Sequence, residues 1–479
     1  MAESHRSRKQ VILPAVIGAF RSGNVLENLQ KILESTDLPF GAPCAAAIRR
    51  SLILSALGLP LEDGGAKMQL DDAIAAMENR KNPQMPPLTV MGCACHRCRG
   101  GTMRVTDLCQ NCVAKPCMAA CRFGAISPAE GGRSAIDEKI CKKCGICAKA
   151  CPYGAIAKTI APCERACPVG AMGKDKMGFA SIDYEKCIYC GKCMAACPFE
   201  AIQVRSQLLD VLREMRDGKS VIAFAAPAAF GQFSCSAEQL HRALKKVGFS
   251  SVYEVATGAE ETSIEEAEEW AERMKNGQKF MTSSCCAAYN ILVKKHIPEL
   301  VPFVSHTKTP LYYTAARARK ECADGIFVFI SPCIAKYEEV HANENVQFTI
   351  TSEELAALFE AREVNPAAEE PEKFSIDTAK EAREFALSGG VSRAIGALST
   401  GSEPLFVPID GIDGESTKEL RTYAREGICE KGNMIEVMSC PGGCVGGCGN
   451  CRSISMAQRQ IKGYASEGEA IRDKYSKDS

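Results

Sequence analysis

Thiol density constrains this chain more than any other feature: 17 of its 28 cysteines fall within residues 93–197, in short runs joined by glycine, proline and charged turns. The basic N-terminus is interrupted by Pro14 and Arg21 before any signal-like apolar core develops, so the expected compartment is the cytoplasm. Thiols stay reduced there, which argues against a disulfide framework and leaves zinc or iron–sulfur clusters. Spacing separates the two. The segments CKKCGICAKACPYGAI, from Cys141, and CIYCGKCMAACPFEAI, from Cys187, are both C-x2-C-x2-C-x3-C-P, an internal repeat. Three close thiolates wrap three corners of a cubane, and the fourth, before proline, turns away to the other cluster. Structural zinc uses pairs of thiols around one ion. The repeat therefore predicts one 4Fe–4S cluster on Cys141, Cys144, Cys147 and Cys197, and a second on Cys187, Cys190, Cys193 and Cys151.

The remaining cysteines extend the pattern. Cys109, Cys112, Cys117 and Cys121 form C-x2-C-x4-C-x3-C, Cys163 and Cys167 form C-x3-C-P, and Cys93, Cys95 and Cys98 surround His96. Repeating the cross-ligation pairs Cys109, Cys112 and Cys117 with Cys167, and Cys95, Cys98 and Cys163 with Cys121, with Cys93 spare. This resembles four-cluster electron-transfer subunits of membrane oxidoreductases; the ligand count permits three accessory clusters or four. His96 reads as an ordinary exposed histidine. A row of clusters is a wire, and function depends on what lies at its end.

Length and charge narrow the setting. The chain has 479 residues, enough for about three domains. Lys plus Arg equals Asp plus Glu at 58 each, so neither a nucleic-acid surface nor a polybasic membrane anchor is expected. The apolar run Val221 to Phe230 is far short of the ~20 residues of a membrane span. Residues 1–90, with Cys44 alone among cysteines, read as a helical N-terminal region serving as a docking surface, and Asn82 to Gly92 as a proline-broken linker. Residues 91–205 form an α+β ferredoxin-like domain. Residues 206–479 alternate short apolar strands (SVIAFAAP, KFMTSS, GIFVFISP, NMIEVMS) with amphipathic helices and close on a polar terminal helix, so an α/β domain is expected.

Three of those strands run into cysteines: MTSSCCAAYN with Cys285 and Cys286, FISPCIAKYEEV with Cys333, and EVMSCPGGCVGGC with Cys440 and Cys444. Ligands in α/β folds collect beyond the carboxyl ends of strands, so thiols delivered there from distant sequence indicate a cluster site. The pair Gly442 and Gly443 is expected to let backbone approach a bulky inorganic group.

At these residues the chain resembles the FeFe-hydrogenases over about residues 93–455. The family's signatures, TSCCP, PCxxK and MxCxxGC, occur here in order. The resemblance implies an α/β catalytic domain of two lobes around an H-cluster, a 4Fe–4S cubane joined to a diiron subcluster with CO, cyanide and a dithiolate. Cys286, Cys333, Cys440 and Cys444 would ligate the cubane, and Cys444 would bridge to the diiron unit. Cys285 matches the proton-donating cysteine. Glu269, Ser305 and Glu266 match a proton path leading to it; Glu266 and Glu269 share a helix face, while Glu261, Glu265 and Glu268 read as solvated. Lys336 matches the lysine that binds one cyanide, Ala226, Pro227 and Ala228 match the apolar contact to the other, and Met438 matches a residue packed against the diiron ligands. The implied activity is reversible reduction of protons to H2, with ferredoxin or a similar carrier as electron partner and H-cluster maturation proteins as assembly partners. Alternatives are a slow hydrogen sensor and a non-catalytic iron–sulfur assembly protein; retention of Cys285, Lys336 and Met438 argues against the latter.

The chain also departs from the family. Ala287 stands for the proline after the cysteine pair, Tyr289 for a tryptophan, Leu311 for a glutamine, and Ser331 for a methionine, which is expected to make the diiron pocket more polar. The third signature continues VGGCGNC, adding Cys448 and Cys451, which read as a pair of reduced thiols.

Overall fold

A computed structural model describes residues 8–35, 45–62, 67–83, 85–98, 100–399 and 403–476; Cys44 lies outside them. The cysteine-rich region folds as two nested units. In the inner one, Thr102–Val105 pairs antiparallel with Ile156–Thr159 around the hairpin Ile126–Pro128/Ser134–Ile136. In the outer one, Leu88–Val90 pairs with Ile202–Val204, Leu88 opposite Val204, around the hairpin Met172–Lys174/Ala180–Ile182. The inner unit is thus an insertion in the outer one, between Cys98 and Cys163. The expected linker at Asn82 to Gly92 is corrected accordingly. Its Leu-Thr-Val run is fully buried and β-prone, and it completes the outer unit's ribbon rather than spacing two domains.

Beyond Val204 the chain builds two parallel sheets. The first orders Ser251–Glu254, Val221–Ala225, Ile326–Ser331 and Phe348–Thr351; the second orders Met281–Thr282, Met434–Met438 and Phe406–Asp410. The central strands Val221–Ala225 and Met434–Met438 are buried throughout, as strands covered on both faces require. Strand ends pass directly into helices. At Thr351 a capping box with Glu354 satisfies the first amides of Ser352–Ala361.

The N-terminal helices Arg8–Arg21, Val25–Glu34, Ala45–Ala56 and Leu70–Asn79 pack into the same apolar core as the first sheet. Arg8–Arg21 lies on Ser352–Ala361, where Lys9 pairs with Glu353 at 2.9 Å, and Arg80 Nε binds the fully buried Asp210 at 2.8 Å. The region is integral to the core. The terminal segment Ile471–Ser476 is likewise anchored: Ile471 is buried, and Lys474 and Tyr475 bind Glu260 at 2.8 and 2.9 Å. No helix among the described residues is long and apolar enough to cross a membrane.

Candidate metal centres and proton path

One backbone turn recurs four times in the nested units. In each C-x2-C loop the residue before the second cysteine has positive φ: Arg97 at 50°, Asn111 at 50°, Lys143 at 56° and Tyr189 at 53°. Side-chain-bearing residues seldom adopt this conformation, so four instances at one motif position mark a shared loop shape. The third cysteine of each repeat, Cys163, Cys117, Cys147 or Cys193, sits in a one-turn helix and is buried. Three residues after the fourth, positive φ returns at Gly170, Gly124, Gly154 and Glu200. Backbone amides already point at sulfur: Lys143 to Cys141 at 3.3 Å, Tyr189 to Cys187 at 3.4 Å, Ala171 to Cys167 at 3.1 Å and Ala201 to Cys197 at 3.4 Å. Such donors stabilise thiolate charge.

The nesting corrects the expected ligand pairing. Cys147 is flanked by Cys141, Cys121 and Cys144, and Cys193 by Cys190, Cys187 and Cys167. Cys163 neighbours Cys197, and Cys151 packs against the apolar cluster of the inner unit, which leaves it to the Cys109 set. Exchange of the fourth thiol therefore runs within each unit. Cys121 joins the Cys141 set, Cys151 the Cys109 set, Cys167 the Cys187 set, and Cys197 the set of Cys95, Cys98 and Cys163. The physical reason is topological: the two most similar repeats, at Cys141 and Cys187, belong to different units, and sequence likeness alone paired them wrongly. Ala180 N–H donates to Cys95 at 3.4 Å, which seats Cys95 against the outer hairpin. Cys93 lies 3.4 Å from the Ser51 hydroxyl, and exposed His96 stacks on Phe199.

A separate group of thiols forms between the two sheets. Cys286 precedes the helix Ala287–His296, Cys333 follows Ile326–Ser331, and Cys440 and Cys444 follow Met434–Met438. Cys440 is surrounded by Cys333, Cys448, Cys286 and Cys444. Burial pushes the thiols of Cys333 and Cys440 well up and that of Cys444 up to about 12. Four neighbouring thiols from three strand ends are the donor type and number that a 4Fe–4S cubane takes, so the donor set fits one. Cys285 faces Glu266, Cys286 and Cys444, and packs in one apolar cluster with Met438. Lys336 reaches the Cys285 carbonyl at 3.3 Å and pairs with Glu339. Ala226, Pro227 and Ala228 are buried at the carboxyl end of Val221–Ala225.

The residues matched to a proton path come together in order. Glu269 accepts from the Ser305 hydroxyl at 2.7 Å, the Thr307 hydroxyl at 2.9 Å and His306 N–H at 2.9 Å, and pairs with Arg273 at 2.5 Å. Burial alone would raise its pKa; the amide, hydroxyl and guanidinium partners outweigh burial and hold the carboxyl below its ordinary value. One turn earlier, Glu266 is fully buried, and neither carboxylate oxygen has a hydrogen-bond partner of good geometry. Burial, with the charge of Glu269 adding to it, pushes Glu266 up to about 8 although the Ser305 hydroxyl faces it. Half-buried Glu269 thus stands nearer solvent, buried Ser305 lies between the two acids, and Glu266 is next to Cys285. The outer end opens beside a cleft of ≈ 780 Å³ lined by Ser305, His306, Thr307, Lys308 and Glu339. Glu265 and Glu268 point outward, and Glu261 pairs with Arg317 at 2.5 Å.

Two departures and one glycine acquire local explanations. Ser331 donates its hydroxyl to the Cys333 carbonyl at 3.0 Å and accepts Cys333 N–H at 3.1 Å, so it orients a cysteine backbone instead of making the pocket polar. Tyr289 is buried with its hydroxyl 2.6 Å from Thr282. Gly443, at φ 90°, is required by its neighbours: a Cβ there would lie 2.6 Å from Ser388 N and 2.7 Å from Ala386 O. Gly443 thus packs on residues 386–388, and Gly442 on Ile454 and Gln458. Cys448 and Cys451 diverge, the first toward the Cys190 carbonyl at 3.5 Å and the second toward the Gln232 carbonyl at 3.6 Å. Sequence reading missed Glu436, a buried carboxylate held by Ser392 and Gly389 N–H and lying near Cys285 and Glu266. An acid amid the apolar run NMIEVM was the available signal.

Residues 219–448 match the family described as iron only hydrogenase large subunit, C-terminal domain, and residues 134–156 and 180–203 each match a 4Fe-4S binding domain. Over this region the chain is iron-only hydrogenase-like. This hydrogenase-like chain is 28% identical over 260 residues to the NADP-reducing hydrogenase subunit HndD of Solidesulfovibrio fructosivorans, across 43% of this chain and 44% of that one. It is 29% identical over 305 residues to the periplasmic [Fe] hydrogenase large subunit of Nitratidesulfovibrio vulgaris, across 52% of this chain and 72% of that one. It therefore spans less than half of the first relative and about three quarters of the second. A solved structure of [FeFe]-hydrogenase HydA1 from Chlamydomonas reinhardtii overlaps 57% of this chain and 94% of its own, at a TM-score of 0.47 and 21% identity.

Proposed function

We propose that this chain is a hydrogenase that interconverts protons and H2, using electrons passed along 4Fe–4S clusters from ferredoxin or a similar one-electron carrier. The observation that carries the reading is the meeting of two arrangements at Cys285. On one side stand four thiols from three strand ends; on the other stands a fully buried acid, in line with Ser305 and Glu269. A structural cubane has no use for that acid.

The four repeated loops of the nested units support four accessory clusters, and Cys286, Cys333, Cys440 and Cys444 would hold the cubane of an H-cluster. When bound, its diiron unit supplies the open metal position at which protons and electrons combine. The chain's own residues move the proton. Glu269, ionised and half-buried at the outer edge, takes it up from the side of the cleft through the Ser305–Thr307 segment. Ser305 links Glu269 to Glu266, which holds a proton near neutrality because burial disfavours its charge. Cys285, whose thiol burial keeps protonated, presents the proton to the metal side. Lys336, buried and kept charged by Glu339, gives a fixed cation for an iron-bound anion such as cyanide.

Infrared spectra of anaerobically matured protein test this reading. Iron-bound CO and cyanide bands with H2 turnover from a reduced viologen are expected. Bands with very slow turnover would assign a sensor instead, and absent bands would sink both.

A further inference from the structure

Cys448 lies in the VGGCGNC segment, where this chain adds a thiol between two groups of ligands. Its sulfur rests on Gly191, the glycine inside the C-x2-C-G-x-C loop of the outer unit. A Cβ built on Gly191 would fall 2.0 Å from Cys448 Sγ and 3.0 Å from Cys448 Cβ. The equivalent glycine of the inner unit, Gly145, has nothing within 4 Å of its Cβ position. The contact thus belongs to the outer unit and is not a requirement of the loop. The thiol donates toward the Cys190 carbonyl at 3.5 Å.

The loop carrying Cys448 is fastened to the other group of ligands. Gly449 N–H binds the Pro332 carbonyl at 3.0 Å, beside Cys333, and Gly447 packs closely on that same carbonyl. Glu353 N–H binds the Gly449 carbonyl at 3.0 Å, and Glu353 is itself held by Lys9 of the first helix at 2.9 Å. The N-terminal region therefore bears on this loop. Cys448, Cys333, Cys286, Cys187, Cys190 and Cys193 all belong to or pack against one apolar cluster.

We propose that Cys448 is a positioning residue for electron transfer: seated on Gly191 and hydrogen-bonded to Cys190, it fixes the contact between the outer-unit cluster of Cys167, Cys187, Cys190 and Cys193 and the cubane of Cys286, Cys333, Cys440 and Cys444. This rests on reading both groups of thiols as cluster sites. One electron crosses the contact, no bond to Cys448 sulfur forms or breaks, and the thiol keeps its proton. Cluster potentials respond to hydrogen bonds and solvent access, so a lost donor and an opened gap alter both sides.

The test compares wild type with Cys448→Ala, Cys448→Ser and Cys451→Ser in the full anaerobically matured chain. Iron content, the magnetic splitting between the two reduced clusters, and the partition of one electron between them in a redox titration are measured. In Cys448→Ala, with iron content retained, weakened splitting is expected together with at least a tenfold change in partition, about 59 mV for a one-electron couple. Cys448→Ser, which keeps a donor, is expected to recover most of both, and Cys451→Ser to match wild type. Wild-type splitting and partition in Cys448→Ala overturn the positioning role. Equal loss of one cluster's iron from both Cys448 variants also overturns it, by making Cys448 a ligand. The cluster reading is judged separately, by iron content and splitting in the wild type.

Discussion

The nested cysteine units and the paired sheets both gather thiols, by opposite means. In the units each ligand set is written into a short loop with a repeated left-handed residue, Arg97, Asn111, Lys143 or Tyr189, and one ligand thiol, Cys144, stays open to solvent. Between the sheets, Cys286, Cys333 and Cys440 come from strand ends far apart in sequence and meet in a buried space that also encloses Glu266, Glu436 and Lys336. The first arrangement suits electrons, which need closely spaced clusters and little else. The second suits protons, which need a chain of groups whose affinities are set by burial.

Removing one thiol from each nested unit breaks the comparison most severely. Cys193→Ser in the outer unit is expected to abolish electron delivery to the thiols gathered between the sheets. Cys147→Ser in the inner unit is expected to spare H2 formation from a small viologen donor, which can bypass the inner unit and reduce the outer one directly, while losing turnover driven by a protein carrier. Iron analysis and the two donor assays check this. Equal loss with both donors for both variants would show that the units are not in series.

The proton side is separable. Glu266→Gln is expected to slow turnover by roughly 10²–10⁴-fold, the usual range for removal of a positioned proton-transfer group, while cluster reduction by dithionite proceeds as in wild type. Glu265→Gln, one residue earlier and exposed, is expected to change neither. Turnover in Glu266→Gln close to wild type would remove Glu266 from the path.

Much of this division was legible in the sequence, because thiol spacing and strand-end cysteines are local patterns. KFMTSS, GIFVFISP and NMIEVMS are strands, and their cysteines converge. What sequence could not show was nesting. The C-x2-C repeats at Cys141 and Cys187 look like one ferredoxin pair, yet Leu88–Val90 and Ile202–Val204 close one unit around the other, and partners change with them. Glu436 escaped for a related reason: a single acid in a buried strand has no period, and only the fold shows that Ser392 and Gly389 hold it. Ser331 was misjudged because a hydroxyl's direction depends on the turn that follows it.

The glycines Gly145 and Gly191 sharpen the contrast within the units. Both have positive φ, 79° and 72°, so an alanine at either costs roughly 1–2 kcal/mol of backbone strain. At Gly145 that is the whole expected effect, because the space is open. At Gly191 the added methyl meets Cys448 sulfur, so a larger loss is expected, relieved in Gly191→Ala/Cys448→Gly. Chemical denaturation of the four proteins reads the difference; equal losses at the two glycines would dissolve the special contact of the outer unit.

The mildest test uses pH. Glu266 is raised from 4.5 to about 8, chiefly by burial, so between those values the folded chain holds a proton that the unfolded chain has released. Stability from this group is greatest below pH 4.5, falls by ~1.4 kcal/mol per pH unit as pH rises, and levels off above the folded value. Glu254, also buried and raised to about 7, adds a slope of the same sign over a narrower window. Subtracting the unfolding free energy of Glu266→Gln from that of wild type cancels Glu254 and leaves the Glu266 contribution. A difference that declines steadily from about pH 5 to pH 8 is expected, with a protonated-carboxyl infrared band that vanishes near the upper end and is missing in the variant. A flat difference would mean that Glu266 is ionised in the folded chain, leaving Cys285 without a neighbouring proton donor at neutral pH.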